Sequence, residues 1–181
     1  VMAYRVMLQS AGDQHQRLAL LMENLTQGVG LPGGIVAGQA WECETAADLS
    51  QYQRAKTGAL FVSATCAGAL SSGSDPAPWA PLGDYLGEAY QVADDIRDVM
   101  VDAQSLGKPA GQDALHARPS AAHVLGLQGA IAYFQRLIEQ ACTAIPACAC
   151  RDMLRQLVQR ESERLVPQAL CDQVRRDASG G

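Results

Sequence analysis

The sequence has few charged residues, few aromatic rings and almost no lysine, and it lacks a long apolar run. Charged residues make up 18% of the 181 residues and apolar residues 48%, which excludes a generally disordered chain. Polar residues or glycine interrupt each apolar stretch before the roughly 18–20 residues of a membrane span, so we predict no membrane span. The net charge of −5 argues against nucleic acid as a partner. We expect one helical domain over residues 1–181.

The six cysteines lack the spacing of a metal site or a disulfide framework. No C-x-x-C pair occurs, and no histidine lies at zinc-finger distance from Cys148 and Cys150. Cys66 and Cys142 fall in Ala-rich stretches, where a free cysteine behaves as a small buried hydrophobe. Residues 1–5 also lack the basic region of a secretory signal. We therefore expect free thiols and a reducing, cytoplasmic location.

Strands are not indicated, because β-branched runs of alternating polarity are missing. Apolar residues recur at helical spacing instead. One stripe consists of Leu18, Leu21, Met22 and Leu25, and another of Leu127, Ile131, Phe134, Leu137 and Ile138. The apolar stretch 61–70 offers more nonpolar surface than a small bundle needs, which favours self-association. The pattern predicts an all-α antiparallel helical bundle.

Turn-forming residues break the helical pattern at four places, residues 12–13, 28–34, 71–78 and 107–119. A capping box at residues 45–48 should open a long helix that contains Lys56. Ser120 should cap a later helix, residues 151–165 should form another, and residues 171–181 should form a frayed tail.

Three aspartates lie close together in a helix predicted over residues 81–102. On a helix Asp94 and Asp98 share one face, whereas Asp95 is turned about 100° aside. Two stacked carboxylates can reach one hard cation, and Mg²⁺ prefers one or two carboxylates together with water and phosphate oxygens. Crowded carboxylates disfavour ionisation unless cations compensate. Arg97 could do so in a purely structural surface cluster, and these residues alone leave that alternative open.

The two lysines of the chain lie next to the motifs that would need them. Every other basic residue is arginine, so the sequence predicts a need for a compact, mobile ammonium at Lys56 and Lys108. Lys108 lies in a Gly-framed loop after the aspartate helix, where it could close over a bound anion. Gln91 lies one turn before Asp94 and could donate to a phosphate oxygen. Three carboxylates with two ammonium groups indicate a diphosphate held through magnesium.

These motifs resemble those of the trans-isoprenyl diphosphate synthases, or polyprenyl synthetases. Residues 90–98 are similar to the second aspartate-rich motif of that family, Phe/Tyr-Gln-x-x-Asp-Asp-x-x-Asp. Residues 56–57 match its Lys-Thr pair, and residues 107–113 match the loop after the second motif. Residues 38–42 resemble its Gly-Gln-x-x-Asp segment, with Glu42 in place of Asp. Residues 118–121 are similar to the bacterial geranylgeranyl diphosphate synthases.

The resemblance implies an isoprenoid-synthase bundle, Mg²⁺ as cofactor, a homodimer and a prenyltransferase reaction. In that reaction an allylic diphosphate ionises, isopentenyl diphosphate attacks the carbocation, and a proton is lost. The implied magnesium ligands are Asp94, Asp95 and Asp98. The implied contacts of the allylic diphosphate are Lys56, Thr57, Gln91 and Lys108, with Gln39 nearby. Among these, Asp94, Lys56 and Lys108 are the implied catalytic residues.

Two of these positions have plainer interpretations. Thr57 could bond back to its own helix backbone, and Gln39 could be an ordinary polar residue beside a Gly-rich turn.

The first aspartate-rich motif of the family is missing from this sequence. We therefore expect the chain to correspond to the C-terminal two-thirds of a synthase, and not to turn over substrate alone. A non-catalytic or regulatory subunit of a prenyl synthase would also lack one metal motif, so that interpretation stays open. A terpene cyclase would share the bundle but would need an Asn-Ser-Glu type of second metal motif, which we do not find.

Overall fold

The structure is a computed structural model that describes residues 2–10, 14–41, 54–105, 121–167 and 169–172. Its α-helices are α1 (Met2–Ser10), α2 (His15–Val29), α3 (Ile35–Trp41), α4 (Ala59–Ser72), α5 (Ala80–Ser105), α6 (Ala121–Ala144) and α7 (Arg151–Leu165). A π-helical turn, Arg54–Gly58, leads into α4, and a 3₁₀ turn, Ala77–Trp79, leads into α5. No strand occurs in these ranges, which confirms the all-α prediction.

Helix α5 lies at the centre of the bundle, packed against α4 on one side and α6 on the other. Its buried face is made of small and branched apolar residues: Ala89, Val92, Ala93 and Ile96. The facing stripe of α6 is the one predicted from the sequence, and Ile131, Phe134, Leu137 and Ile138 are each at most 9% exposed. Leu127 is partly buried against the same core. The stripe predicted on α2 is only half-buried.

Several predicted boundaries agree with the structure. Helix α7 has the predicted bounds, and α5 covers the helix predicted over residues 81–102. The loop predicted at 71–78 is shorter, because α4 continues to Ser72 and Gly73 then adopts a left-handed φ of +77° that ends it. The predicted capping box, the breaks at 12–13 and 107–119, and Ser120 lie outside the described residues.

The cysteines in the described residues are free thiols. Cys66 is 7% exposed, as predicted, and its Sγ donates to the backbone oxygen of Pro76 at 3.6 Å. Cys171 is 2% exposed and packs into the α5–α6 core, in a helical turn formed by residues 169–172. The rest of the predicted frayed tail lies outside the described residues. In the described part of the chain, no helix has the length and apolar character needed to cross a membrane.

Helix α5 approaches α4 closely at Gly83 and the π-helical turn before α4 closely at Gly87. A Cβ atom added to Gly83 of α5 would lie 2.4 Å from the Cα of Val62 in α4. One turn later, a Cβ at Gly87 would lie 2.8 Å from the Cα of Gly58. Only residues without a side chain let the backbones meet at this distance, so these glycines set the separation of α5 from α4 and from the turn before it.

We predict that Gly83→Ala lowers the free energy of unfolding by roughly 1–3 kcal/mol, because its methyl group must displace the Val62 backbone. Gly68→Ala is the matched control. Gly68 lies in α4, and no atom lies near the place that an added methyl group would take, so the change should raise stability by about 0.5–1 kcal/mol. Urea unfolding monitored by circular dichroism measures both. Equal stability of the two variants would contradict the close approach.

Candidate functional site

Lys56 and Thr57 lie in the π-helical turn before α4. Turns of this type are rare and occur frequently at functional sites. The turn packs against α3 and α5, and it continues directly into α4. Because its hydrogen bonds close i→i+5 rings, it offsets the side chains of Lys56 and Thr57 from the register of α4. The long helix predicted around Lys56 is therefore π-helical at this residue.

A hydrogen bond joins the lysine–threonine turn to the aspartate helix. Nε2 of Gln91 on α5 donates to Oγ1 of Thr57 at 2.6 Å, across 34 residues of sequence. Both side chains are half-buried. Since the Thr57 oxygen acts as acceptor in this bond, its hydroxyl proton can still be donated to an anion. The Lys-Thr pair and the aspartate motif are thus neighbours in the structure. From the sequence, only the family resemblance suggested this.

Helix α3 reaches the same place through Gly38. A Cβ atom at this buried glycine would lie 2.5 Å from the backbone nitrogen of Lys56. The neighbouring Gln39 is exposed beside the π turn. Gln39 therefore lies near the π turn, on helix α3, and its place beside a bound diphosphate stays a prediction.

Asp94 is paired with Arg97, one turn further along α5. The two side chains are 51% and 46% exposed, and an ion pair at that exposure contributes about 0–1 kcal/mol. The guanidinium also lies 6.0 Å from the ring centre of Tyr90. Arg97 therefore partly neutralises the acidic cluster, as the interpretation as a structural surface cluster predicts. The ion pair is weak, so a cation bound by Asp94 could displace Arg97.

Asp95 is directed away from Asp94 and toward α6. Its Oδ2 accepts a hydrogen bond of 2.7 Å from the backbone N–H of Ala121, the first residue of α6. A carboxylate there satisfies one of the unpaired N–H groups at a helix start. Asp95 thus links the aspartate motif on α5 to the start of α6.

Asp98 is exposed on α5, one turn beyond Asp94. Within the ranges that the structure describes, no group of three or more His, Cys, Asp or Glu residues is arranged to hold a metal ion. Asp94 and Asp98 are thus stacked one turn apart on the exposed face of α5, an arrangement that suits a hard cation whose other ligands are oxygen atoms. Lys108 and Glu42 lie outside the described residues.

A polar contact that the sequence did not indicate connects α5 to α6 beside this site. The hydroxyl of Tyr133 donates to Glu88, which lies one turn before Gln91. Burial, followed by the hydrogen bond and the charge of Glu88, raises the pKa of Tyr133 to about 12. Tyr133 therefore stays protonated at neutral pH and holds Glu88. Arg136 also stacks 4.9 Å from the Tyr133 ring centre.

Comparison with known proteins shows one consistent similarity. The chain is 46% identical over 174 residues to the geranylgeranyl diphosphate synthase of Cereibacter sphaeroides, a match that covers 96% of this chain and 60% of that protein. Among solved structures, an FPP/GFPP synthase from Zymomonas mobilis matches with a TM-score of 0.65 at 25% identity, over 88% of this chain and 56% of that one.

A geranyltransferase from Helicobacter pylori, solved as a complex with magnesium and isoprenyl diphosphate, matches with a TM-score of 0.61 at 25% identity. That match covers 91% of this chain and 55% of the geranyltransferase. The chain thus spans somewhat more than half the length of these relatives. The family model for polyprenyl synthetase matches residues 1–159. From this match, and from the Lys-Thr and aspartate motifs that the fold brings together, the chain belongs to the polyprenyl synthetase family.

Proposed function

We propose that this chain provides the magnesium and allylic-diphosphate part of a prenyltransferase active site. The reaction condenses isopentenyl diphosphate with geranyl or farnesyl diphosphate to a longer trans-polyprenyl diphosphate, and we propose geranylgeranyl diphosphate as the product. The observation that carries the proposal is the bond between Gln91 and Thr57, which places Lys56 beside the aspartate helix. The identity to a geranylgeranyl diphosphate synthase supports the choice of product.

In this proposal Asp94 and Asp98 hold magnesium on the exposed face of α5. When bound, the ion neutralises the charge that develops on the leaving diphosphate. The Helicobacter pylori geranyltransferase complex, which contains magnesium and isoprenyl diphosphate, supports this assignment. We propose that Asp95 orients the site, through its bond to the start of α6, and contributes to metal binding from there.

The cationic and polar side chains complete the diphosphate site. We propose that the Lys56 ammonium and the Thr57 hydroxyl donate to the oxygens of the allylic diphosphate. Gln91 orients Thr57 and contributes its own amide, while Gln39 lies at the edge of the site. Because Lys56, Thr57 and Gln91 are half-buried, their donors are partly shielded from water and act more strongly on developing charge. Lys108 remains predicted as the second ammonium.

We also propose that the chain forms a homodimer. The apolar stretch 61–70, which the sequence favours for self-association, packs in part against α2 and α5 within the chain. Large apolar side chains are instead exposed on α1, with Met2 at 81%, Val6 at 55% and Leu8 at 57%. Large exposed apolar side chains are common where a surface packs against another protein segment, which supports α1 as part of the contact.

We predict that the chain binds inorganic diphosphate only when magnesium is present, and that Asp94→Ala abolishes this binding. The fold should persist, because Asp94 is half-exposed and its ion pair is weak. Asp152→Ala, at a 91% exposed aspartate on α7, is the matched control and should bind normally. Titration calorimetry with and without magnesium measures binding. Unchanged magnesium-dependent binding of diphosphate by Asp94→Ala would contradict the assignment of Asp94 as a magnesium ligand.

We predict that Lys56→Ala and Lys108→Ala each reduce kcat/KM for the allylic diphosphate about ten- to hundredfold. The loss corresponds to one charge-assisted hydrogen bond, roughly 1.5–3 kcal/mol. Arginine at either position should restore activity only in part, because a planar guanidinium cannot follow a moving phosphate as an ammonium does.

Steady-state kinetics with geranyl or farnesyl diphosphate, in an active synthase that contains this chain, would measure the effect. Arg160→Ala, at an exposed position on α7, is the control for loss of a positive charge. Full activity in both lysine-to-arginine variants would show that the lysines have no specific role.

We predict that the chain is a dimer at micromolar concentration. Val6→Gln or Leu8→Gln should shift the equilibrium toward monomer, because each removes apolar area from the proposed contact on α1. Met153→Gln, at a 64% exposed methionine on α7, should leave the dimer unchanged. Sedimentation velocity distinguishes these states. A chain that sediments only as a monomer would contradict the proposal.

A further inference from the structure

Two thiols lie together at the corner between α6 and α7, away from the site described above. Cys148 and Cys150 flank Ala149, and their Sγ atoms are 4.0 Å apart. Cys150 is exposed and Cys148 is half-buried, so the pair lies at the protein surface. Nothing in the proposed prenyltransferase chemistry uses this pair.

Backbone and arginine contacts hold the corner in place. The N–H of Arg151 donates to the backbone oxygen of Cys148 at 3.2 Å, and the N–H of Leu154 donates to that of Cys150 at 3.0 Å. Nη2 of Arg151 also donates to the backbone oxygen of Thr143 at 3.2 Å, which fastens the start of α7 to the end of α6. The turn that carries the two sulfurs is therefore formed by contacts within the chain, which lowers the ordering cost of binding a ligand there.

The two sulfurs are in thiol–thiol contact, at a separation that also suits two ligands of one metal ion. A tetrahedral ion with bonds of about 2.3 Å to sulfur places its thiolate ligands roughly 3.8 Å apart. The observed 4.0 Å is close to this value. Thiolates select soft, thiophilic ions over magnesium and other hard ions. We propose that Cys148 and Cys150 form a bidentate binding site for a soft, thiophilic metal ion such as Cu(I), Zn(II) or Cd(II).

The other thiols in the described residues are poorer ligands than this pair. Burial raises the pKa of the Cys66 and Cys142 thiols, and the thiolate is the form that binds metal. Cys171 is 2% exposed in the core. No group of three potential ligands occurs among the described residues, so the pair leaves coordination positions of the ion for further ligands. The site is therefore open, and its ion can exchange.

The test is a titration of the full, reduced chain with Cd(II), under argon and with a phosphine reductant that keeps the thiols free. Ultraviolet absorption of the thiolate–cadmium bond reports binding, and competition with a chelator gives the affinity. We expect one Cd(II) per chain and a higher thermal unfolding midpoint in its presence. Cys148→Ser and Cys150→Ser should each weaken binding at least about tenfold, since even loss of an indirect partner commonly costs roughly 10- to 100-fold.

Two variants serve as controls. Cys142→Ser, six residues before Cys148, should bind Cd(II) as the unmodified chain does. Asp94→Ala should also bind it normally, which separates this site from the magnesium site and keeps the two proposals independent. Full affinity in either single variant of the pair, or a loss of binding in Cys142→Ser, would overturn the proposal.

Discussion

The close approach of α5 to α4 and to the π turn before it is the constraint on which the candidate site depends. At Gly83 and Gly87 the backbones meet at distances that a methyl group would not permit. A hydrogen bond between side chains on different helices needs donor and acceptor within about 3 Å. Only this separation lets Gln91 reach Thr57, and thereby places Lys56 next to the aspartate helix. A small-residue contact in the packing is thus a condition for the chemistry proposed above.

A second close approach positions the third element of the site. Gly38 lets α3 rest on the backbone of Lys56, at the π turn. The turn is therefore held between α3 and α5, and the lysine side chain leaves a backbone that is fixed on two sides. A backbone that is already fixed lowers the entropy cost of placing the Lys56 ammonium against the diphosphate proposed above.

The acidic cluster on α5 is divided between two tasks. Asp94 and Asp98 remain on the exposed face, where Arg97 compensates one of them through a weak ion pair. Asp95 also accepts a hydrogen bond from the start of α6. Dividing the carboxylates in this way limits the repulsion that three adjacent negative charges would create. It also couples the proposed metal site to α6, whose position is secured further by the contact between Tyr133 and Glu88.

The sequence by itself determined the helical class, the apolar stripe of α6, the bounds of α7 and the presence of three aspartates on one helix. These follow from spacing within a single element, where the period of 3.6 residues decides which side chains share a face. The family resemblance suggested roles for Lys56, Thr57 and Gln91, but spacing alone could not show that the Thr57 and Gln91 side chains meet.

Only the tertiary structure decided the contacts between elements. Four features depend on how closely two elements approach and at what register: the Gln91–Thr57 bond, the direction of Asp95, the π turn at Lys56 and the partial burial of residues 61–70. The distance between the elements is set by a few glycines. Because of it, Thr57 and Gln91 form a hydrogen bond although they are 34 residues apart in the sequence. Periodicity within one helix carries no information about such a distance, because it describes faces and not the separation between them.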